Sequence, residues 1–296
     1  MINQQIQILK DRFIDGTGFV DKADGTVRPD ATCWAILALQ CAQMQETLIQ
    51  SARRCLASMQ SKDGRVCITP HHPESYWPTS LAILAWQGAP EHRDSQAKAI
   101  RFLDGYNKVL NKESPKEIIG YDTKIIGWSW MANTYSWVEP SALGVIALRA
   151  AGHKDQRRMQ DAVALLMDRQ LPDGGWNCGS SIIFGQALRP IPANTGMALQ
   201  ALYGFVPEKD VENSIRYLRS CLVRLRTPFT LGWSLLGLGT WAQSVENRHE
   251  IVSNVLRRQD EHGPFDTTSL SVLLVAYFCE NGLIDLFDRN YKWNKT

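Results

Sequence analysis

The most regular feature of this sequence is a short apolar segment that recurs in six approximate copies. In each copy, small and large apolar side chains occupy nearly every position around a helical circumference. A helix that is apolar on every face is buried on every face. The distance from one copy to the next runs from roughly 36 to 62 residues, a spacing typical of two-helix repeats with insertions. The copies span residues 32–39, 79–86, 141–148, 195–202, 231–238 and 268–275.

A second kind of helix precedes each buried one. Residues 160–170 place apolar side chains on one side of a helix only, which predicts a helix lying between the core and solvent. Proline near the first turn of several buried segments, as at Pro29 and Pro78, suits a helix start. We expect the Thr and Ser residues at these starts to cap the helices. The other amphipathic segments lie around residues 4–13, 53–59, 96–103, 215–222 and 251–257.

The alternation of these two kinds of helix predicts an all-α protein, because the period-two pattern of strands is rare along the chain. An open superhelical solenoid would normally keep a polar or ligand-facing edge on its inner helices, whereas these segments are apolar almost throughout. We therefore predict an α/α toroid, with about six helical hairpins in a closed double-layered (α6/α6) barrel. Residues 1–296 are predicted to form one domain of this kind.

Composition and charge narrow the class of partner. A net charge of +2, with 21% charged residues, is too balanced to indicate binding to nucleic acid. The sequence shows no secretory leader and no apolar run of membrane-spanning length, which predicts a cytoplasmic protein without a transmembrane segment. Peripheral contact with a membrane stays compatible with this prediction. Seven cysteines without a C-x-x-C arrangement indicate reduced thiols rather than a disulfide framework.

One repeat carries a more specific motif. Residues 170–176, with the sequence QLPDGGW, resemble the Q-x-x-D-G-x-W repeat of squalene and oxidosqualene cyclases, and residues 60–65 and 259–265 look like eroded copies. Related repeats occur in the β subunits of protein prenyltransferases. The segment from Trp137 to Thr195 also resembles bacterial proteins described as prenyltransferase or squalene-oxidase repeat proteins. The resemblance implies a helical toroid that holds an isoprenoid-type molecule in its central cavity.

The chain departs from these families at the residues that carry their chemistry. The cyclases protonate an alkene through an acidic D-x-D-D motif, which this sequence lacks, and they usually carry a second helical barrel. The prenyltransferases bind zinc through D-x-C spacing, whereas Asp30 and Cys33 lie three residues apart. We therefore predict neither a metal nor a cofactor. The residues Cys67, His71 and His72 match no zinc spacing and are interpreted as parts of a structural loop.

Three carboxylates are the candidate catalytic residues, because each stands at the start of a buried helix: Glu139, Asp30 and Asp266. In a ring, these starts would converge on the mouth of the cavity. A buried Glu139 would have a raised pKa and could act as an acid. Its structural alternative is to cap the helix that follows it, where negative charge is favoured. A pair of carboxylates at the mouth would also resemble the acid and base of an (α/α)-barrel glycosidase.

Large aromatic side chains are the candidate ligand contacts. Aromatic rings at the mouth of an apolar barrel can bind a polyisoprene or stabilise a carbocation through their faces. Alternatively, they can be wedges that close one end of the ring. Asn194 could hydrogen-bond a ligand, although asparagine also suits a turn or a cap. The aromatic candidates are Trp34, Trp77, Trp128, Trp130 and Trp137.

These residues support two hypotheses of different classes. In the first, the toroid binds an apolar, isoprenoid-type molecule in its central cavity, with or without transforming it. In the second, the toroid is a non-catalytic scaffold for a protein partner. An open tunnel lined by aromatic rings and one or two carboxylates would favour the ligand. A centre filled by Leu and Trp side chains would favour the scaffold.

Overall fold

The computed structural model describes residues 1–23, 25–44, 46–106, 108–110, 120–153, 157–183 and 185–287. Across these residues the chain is mainly helical, which confirms the predicted all-α class. Two short antiparallel hairpins lie in the loops: β1 (Phe13–Ile14) pairs with β2 (Gly18–Phe19), and β3 (Ile182–Ile183) pairs with β4 (Gln186–Ala187). Among the described helices, none combines the length and the apolar character needed to cross a bilayer.

The helices fall into two classes that alternate along the chain, as the hydrophobic pattern predicts. Helices of the inner class are buried around nearly their whole circumference, and helices of the outer class bury one side. The inner helices are α2 (Pro29–Cys41), α4 (Pro78–Ala85), α6 (Val138–Ala150), α8 (Pro192–Leu202), α10 (Pro228–Thr240) and α13 (Thr267–Phe278). The outer helices are α1 (Ile2–Asp11), α3 (Glu46–Ser58), α5 (Arg93–Gly105), α7 (Arg157–Asp168), α9 (Glu212–Cys221) and α11 (Arg248–Arg257), and a short α12 (Gln259–His262) follows α11. Single 3-10 turns lie at Pro90–His92, Glu208–Asp210 and Leu222–Arg224.

Each inner helix packs against the inner helices before and after it in the chain. Helix α2 contacts α4, α4 contacts α6, and the series continues through α8 and α10 to α13. Helix α13 in turn packs against α2, so the first and last inner helices are neighbours. The outer helices lie against this set, for example α3 against α2 and α7 against α6. The apolar circumference of the inner helices is explained by these contacts on every side.

A recurring hydroxyl group fixes a loop to the inner helix that follows it. Thr195 Oγ1 accepts the backbone N–H of Trp176 at 3.1 Å, and the same hydroxyl donates to the Ile191 carbonyl. The prediction that such residues cap the inner helices was wrong for α2, α4 and α8, which have no side-chain cap. The hydroxyl satisfies a buried N–H of the loop instead. Equivalent pairs are Phe19 with Thr32, Val66 with Thr79, and Trp128 with Ser141.

Side chains fill the middle of the inner set. Trp34 of α2 and Trp233 of α10 meet edge to face, with ring centroids 5.4 Å apart, and they are only 3% and 1% exposed. Helices α8 and α10 approach closely because Gly196 faces the backbone of Trp233, and a methyl group at Gly196 would overlap the Trp233 carbonyl oxygen. At the depth of this tryptophan pair, the molecule is a packed core rather than an open tunnel.

Candidate functional site

The first turns of the six inner helices, with the loops that lead into them, form one end of the molecule, which we call the start face. Its neighbouring segments are joined by backbone hydrogen bonds. Thr267 N–H donates to the Asp21 carbonyl at 2.7 Å, and Val138 N–H donates to the Cys178 carbonyl at 2.9 Å. Glu139, Asp30 and Asp266 stand at the starts of α6, α2 and α13 and therefore lie on this face.

Asp30 is held in an ion pair. It is 2% exposed, and its two oxygens accept from Arg28 Nε at 3.0 Å and Arg28 Nη2 at 2.8 Å. Asp21 lies 3.8 Å from the same guanidinium. The Asp30 carboxylate raises the pKa of Arg28, chiefly through these hydrogen bonds. Because both of its oxygens are engaged by one arginine, Asp30 is poorly placed to exchange a proton with a ligand.

Asp266 caps a helix. Its Oδ1 accepts the backbone N–H of Ser269 at 2.8 Å, the contact that defines the N-cap of α13. Arg12 lies beside it and donates to the Phe265 carbonyl at 2.6 Å. Glu139 does not cap α6 in this way: that helix has no side-chain cap, and Glu139 lies within its first turn, where negative charge is favoured.

Glu139 has neither kind of partner. Among the described residues, its carboxyl group makes no hydrogen bond and no ion pair, and the residue keeps only partial access to solvent. Burial disfavours the charged form and raises the pKa of Glu139 to about 7. A carboxyl group with this pKa is present in both protonation states near neutral pH, which is what general acid–base chemistry requires.

A polar group from another element, Cys178, lies near Glu139, and Asn194 in turn interacts with Cys178. Cys178 lies in the loop before α8 and is exposed as a residue, although its thiol is partly covered. This partial burial and the nearby Glu139 carboxylate raise the pKa of the thiol, whereas a hydrogen bond with Asn194 lowers it. Asn194 itself is 6% exposed in the first turn of α8. Glu139, which is predicted as an acid, and Asn194, which is predicted as a ligand contact, are thus linked through Cys178. Cys178 was not predicted, because its sequence shows no neighbouring base.

Three of the predicted tryptophans lie on the start face with part of their surface accessible. The rings of Trp77 and Trp130 meet edge to face at 5.2 Å. Trp137 directly precedes α6 and lies over Gly179, where an added methyl group would be 3.4 Å from the indole. Of these three rings, only that of Trp137 is close to Glu139 along the chain, two residues before it.

The other two predicted tryptophans lie inside the packed protein. Trp34 pairs with Trp233, as described above. Trp128 is 1% exposed, and its indole N–H donates to the Leu103 carbonyl at 3.1 Å while the Arg158 guanidinium stands 4.9 Å from the ring. Trp176 of the QLPDGGW motif makes a matching contact, donating to the Leu166 carbonyl at 2.6 Å. Through these hydrogen bonds, Trp128 and Trp176 connect their loops to the last turns of α5 and α7.

The loop that contains Cys67, His71 and His72 shows no metal-ligand geometry. The Cys67 thiol donates to the Pro73 carbonyl at 3.1 Å. Over the part of the chain that the structure describes, no group of three or more His, Cys, Asp or Glu side chains could hold a metal ion.

A cavity of about 520 Å³ lies at the opposite end of the inner helices, where α4, α6 and α8 terminate. We call it the end cavity. Its lining includes Gln87, Arg149, Tyr203, Phe205 and Leu283, and among the described residues that line it none is acidic. The hydrophobic pattern gave no indication of this cavity, because its walls come from helix ends that are distant in the sequence.

Solved structures of three proteins illustrate which folds resemble this one. A protein from Actinoplanes superposes with a TM-score of 0.61 at 15% identity, over 94% of this chain and 98% of that one. A protein described as a novel alpha-amylase from Clostridium perfringens gives 0.64 at 10% identity, over 94% and 97%. The type II terpene cyclase MstE from Scytonema, in complex with its substrate geranylgeranyl dihydroxybenzoate, gives 0.58 at 12% identity, over 94% and 97%.

No protein-family model matches the chain, and no curated protein matches it in sequence. The structural likenesses establish a terpene cyclase-like helical fold, which confirms at the level of fold the resemblance seen in the repeats. The MstE chain is matched over almost its whole length, so a cyclase of this fold does not need the second barrel that its relatives usually carry. Because an amylase and a terpene cyclase share the fold, the fold alone does not select a chemistry.

Proposed function

We propose that the inner helices close into a double-layered (α6/α6) toroid that binds an apolar, isoprenoid-type molecule at its start face. The contact of α13 with α2 supports the closed ring. The observation that carries the ligand site is Glu139 in the first turn of an inner helix: its carboxyl group has no hydrogen-bond or ion-pair partner among the described residues, and burial raises its pKa to about 7. The terpene cyclase of this fold that binds geranylgeranyl dihydroxybenzoate supports an isoprenoid as the ligand class.

In this proposal, the start face offers the ligand two kinds of contact, one apolar and one polar. The accessible rings of Trp77, Trp130 and Trp137 take the apolar chain, since aromatic surface gains most from burial against hydrocarbon. Glu139 and Asn194 take a polar head, with protonated Glu139 donating a hydrogen bond to an oxygen of the ligand.

The raised pKa also limits the chemistry that Glu139 can perform. A carboxyl group with a pKa of about 7 is a weaker acid than an ordinary glutamate, so it suits proton exchange with an oxygen rather than protonation of an unactivated alkene. Any transformation at this site would therefore act on the polar head of the ligand, as general acid–base catalysis. This differs from the D-x-D-D chemistry of the cyclases, whose motif the chain lacks.

The first experiment titrates the protein with geranylgeraniol, followed by tryptophan fluorescence, at about pH 5.5 and about pH 8.5. We expect binding to weaken about tenfold at the higher pH, because ionised Glu139 can no longer donate to the hydroxyl group. Glu139→Gln keeps a donor that cannot ionise and should bind equally at both pH values. Glu246→Gln, at an exposed position, is the matched control. Equal pH dependence in the wild type and in Glu139→Gln would refute the role of Glu139.

The position of the ligand is tested separately by alkylation of Cys178, which is exposed beside Glu139. Bound geranylgeraniol should slow the reaction of this thiol with iodoacetamide, measured by peptide mass spectrometry. If the alcohol binds but leaves Cys178 reacting at its original rate, it occupies another place such as the end cavity, and the start face is not the site.

A scaffold is the second candidate function, and the packed centre of the molecule favours it. Trp34 and Trp233 occupy the place where a deep chamber would lie. A scaffold would bind no small apolar molecule. Native mass spectrometry of gently purified protein, followed by solvent extraction, distinguishes the two, because a co-purifying polyisoprenoid supports the ligand and its absence, with no geranylgeraniol binding, supports the scaffold.

A further inference from the structure

Two cysteines meet where the first and last inner helices end. Cys41 is the final residue of α2, and Cys279 directly follows α13. Their sulfur atoms lie 3.3 Å apart, although the residues are 238 positions apart in the sequence. The two residues are in their thiol form, and the contact between them is a thiol–thiol hydrogen bond.

The contact lies at a distinctive junction. The other contacts between neighbouring inner helices join helices that follow each other in the chain, whereas α2 and α13 are brought together only by the folding of everything between them. We call this junction the seam. A covalent bond between such distant positions restricts the unfolded chain far more than one within a single hairpin.

The surroundings of the two sulfur atoms differ in a way that suits stepwise exchange. Cys41 is partly exposed, whereas Cys279 is 2% exposed. Arg248 stands over the buried partner: its guanidinium donates to the Ala276 carbonyl at 2.7 Å and to the Cys279 carbonyl at 3.1 Å. These hydrogen bonds hold the backbone of Cys279 in place while its sulfur lies against that of Cys41.

We propose that Cys41 and Cys279 are a thiol–disulfide exchange site that takes small-molecule disulfides and locks the seam reversibly. In the first step, the accessible Cys41 thiolate attacks the disulfide R–S–S–R, forming a mixed disulfide and releasing RS⁻, which takes up the Cys41 proton. In the second step, Cys279 attacks the Cys41 sulfur and displaces the second RS⁻. Two thiols of the protein are oxidised, one small disulfide is reduced to two RSH, and no other reactant is needed.

The geometry requires only a small movement for this reaction. The sulfur atoms must approach from 3.3 Å to a bond length of about 2.05 Å. Cys41 terminates α2 and Cys279 lies outside α13, so both have a helix end on one side that can adjust. The packed body of the two helices stays in place.

The test incubates the native protein with oxidised glutathione, blocks the remaining thiols, and maps disulfides by peptide mass spectrometry. We expect a cross-link between the peptides containing Cys41 and Cys279, a rise of several degrees in the unfolding temperature, and reversal of both changes by dithiothreitol. Cys41→Ser and Cys279→Ser should show neither change. Cys221→Ser, at another partly exposed cysteine, should behave as the wild type.

Disulfide mapping of the wild-type protein tests the exchange site even if a serine variant folds poorly. Glutathione attached to Cys41 without a cross-link would refute the exchange site, since Cys279 would then have failed to displace it. A cross-link that leaves the unfolding temperature unchanged would refute the locking of the seam. Cross-linking between any other pair of cysteines, with Cys41 and Cys279 still reduced, would refute both parts.

Discussion

At the start face, three carboxyl groups that occupy similar places in the sequence have different surroundings in the structure. Asp30 is paired with Arg28, Asp266 caps α13, and Glu139 is largely buried with neither kind of partner among the described residues. Arg28, two residues before Asp30, pairs with that carboxylate, and Asp266 accepts a backbone N–H because it is the N-cap residue of α13. Glu139 lies inside the first turn of α6 and has no ion-pair partner among the described residues, and burial is the cause that raises its pKa. This difference singles it out among the three candidates.

The protonation of Glu139 should make stability depend on pH. Its pKa is about 7 in the folded protein and 4.5 when the chain is unfolded, so the folded state binds more protons between these values. The contribution is fully present below about pH 4.5 and is lost as the pH rises through 7. Glu139→Gln should therefore gain stability relative to the wild type by about 2–3 kcal/mol between about pH 4.5 and about pH 8.

Urea unfolding of both proteins at several pH values measures this difference. The exposed Glu246→Gln variant should track the wild type at every pH. A constant difference between Glu139→Gln and the wild type would mean that the Glu139 pKa is close to its ordinary value, and the proposed acid would lose its basis.

At the scale of the helices, polar side chains form hydrogen bonds with backbone groups that would otherwise be buried without a partner. The buried hydroxyls of Thr32, Thr79 and Thr195 pair with N–H groups of the preceding loops. Arginines do the same at the other ends of the inner helices, where Arg53 donates to the Ala85 carbonyl at 2.8 Å and Arg248 donates to that of Ala276. Helix α4, for example, has both contacts, with Thr79 at its start and Arg53 at its end.

Removing one of these hydroxyl groups should weaken the fold measurably. Thr195→Val keeps the shape of the side chain but leaves the buried Trp176 N–H without an acceptor, which costs about 1–3 kcal/mol. Thr195→Ser keeps the hydroxyl and should lose clearly less. The free energy of unfolding from urea titration checks both. Equal losses would show that the methyl group, and not the hydrogen bond, matters at this position.

At the scale of the whole molecule, close contact between neighbouring inner helices depends on the absence of side chains at a few positions. Gly196→Ala would drive a methyl group into the Trp233 carbonyl and push α8 from α10. We expect a loss of about 3 kcal/mol or more. Gly105→Ala, at a helix end with open space, should cost almost nothing. Thermal unfolding of the two variants provides the comparison, and similar melting temperatures would contradict the close approach.

The sequence predicted the helical classes better than the site. Segments such as 195–202 are apolar around the whole circumference of a helix, and a helix of this kind is buried on every side. The inner helices could therefore be identified without a structure. The environment of Glu139 and the meeting of Cys41 with Cys279 depend on which repeats become neighbours in space. Trp34 is a further example. Its ring contacts Trp233 of a helix that is distant in the sequence, and the sequence of neither helix predicts this contact.

The seam between α2 and α13 also bears on how the chain emerges from the ribosome. Helix α2 is made early, but one of its two inner neighbours is completed only at Phe278. Until then, the apolar side of α2 that faces α13 has no cover within the nascent chain, and long-range contacts of this kind form slowly. Synthesis therefore passes through a long interval in which the unfinished chain is prone to aggregate and suited to binding by a chaperone, and that interval ends when α13 docks.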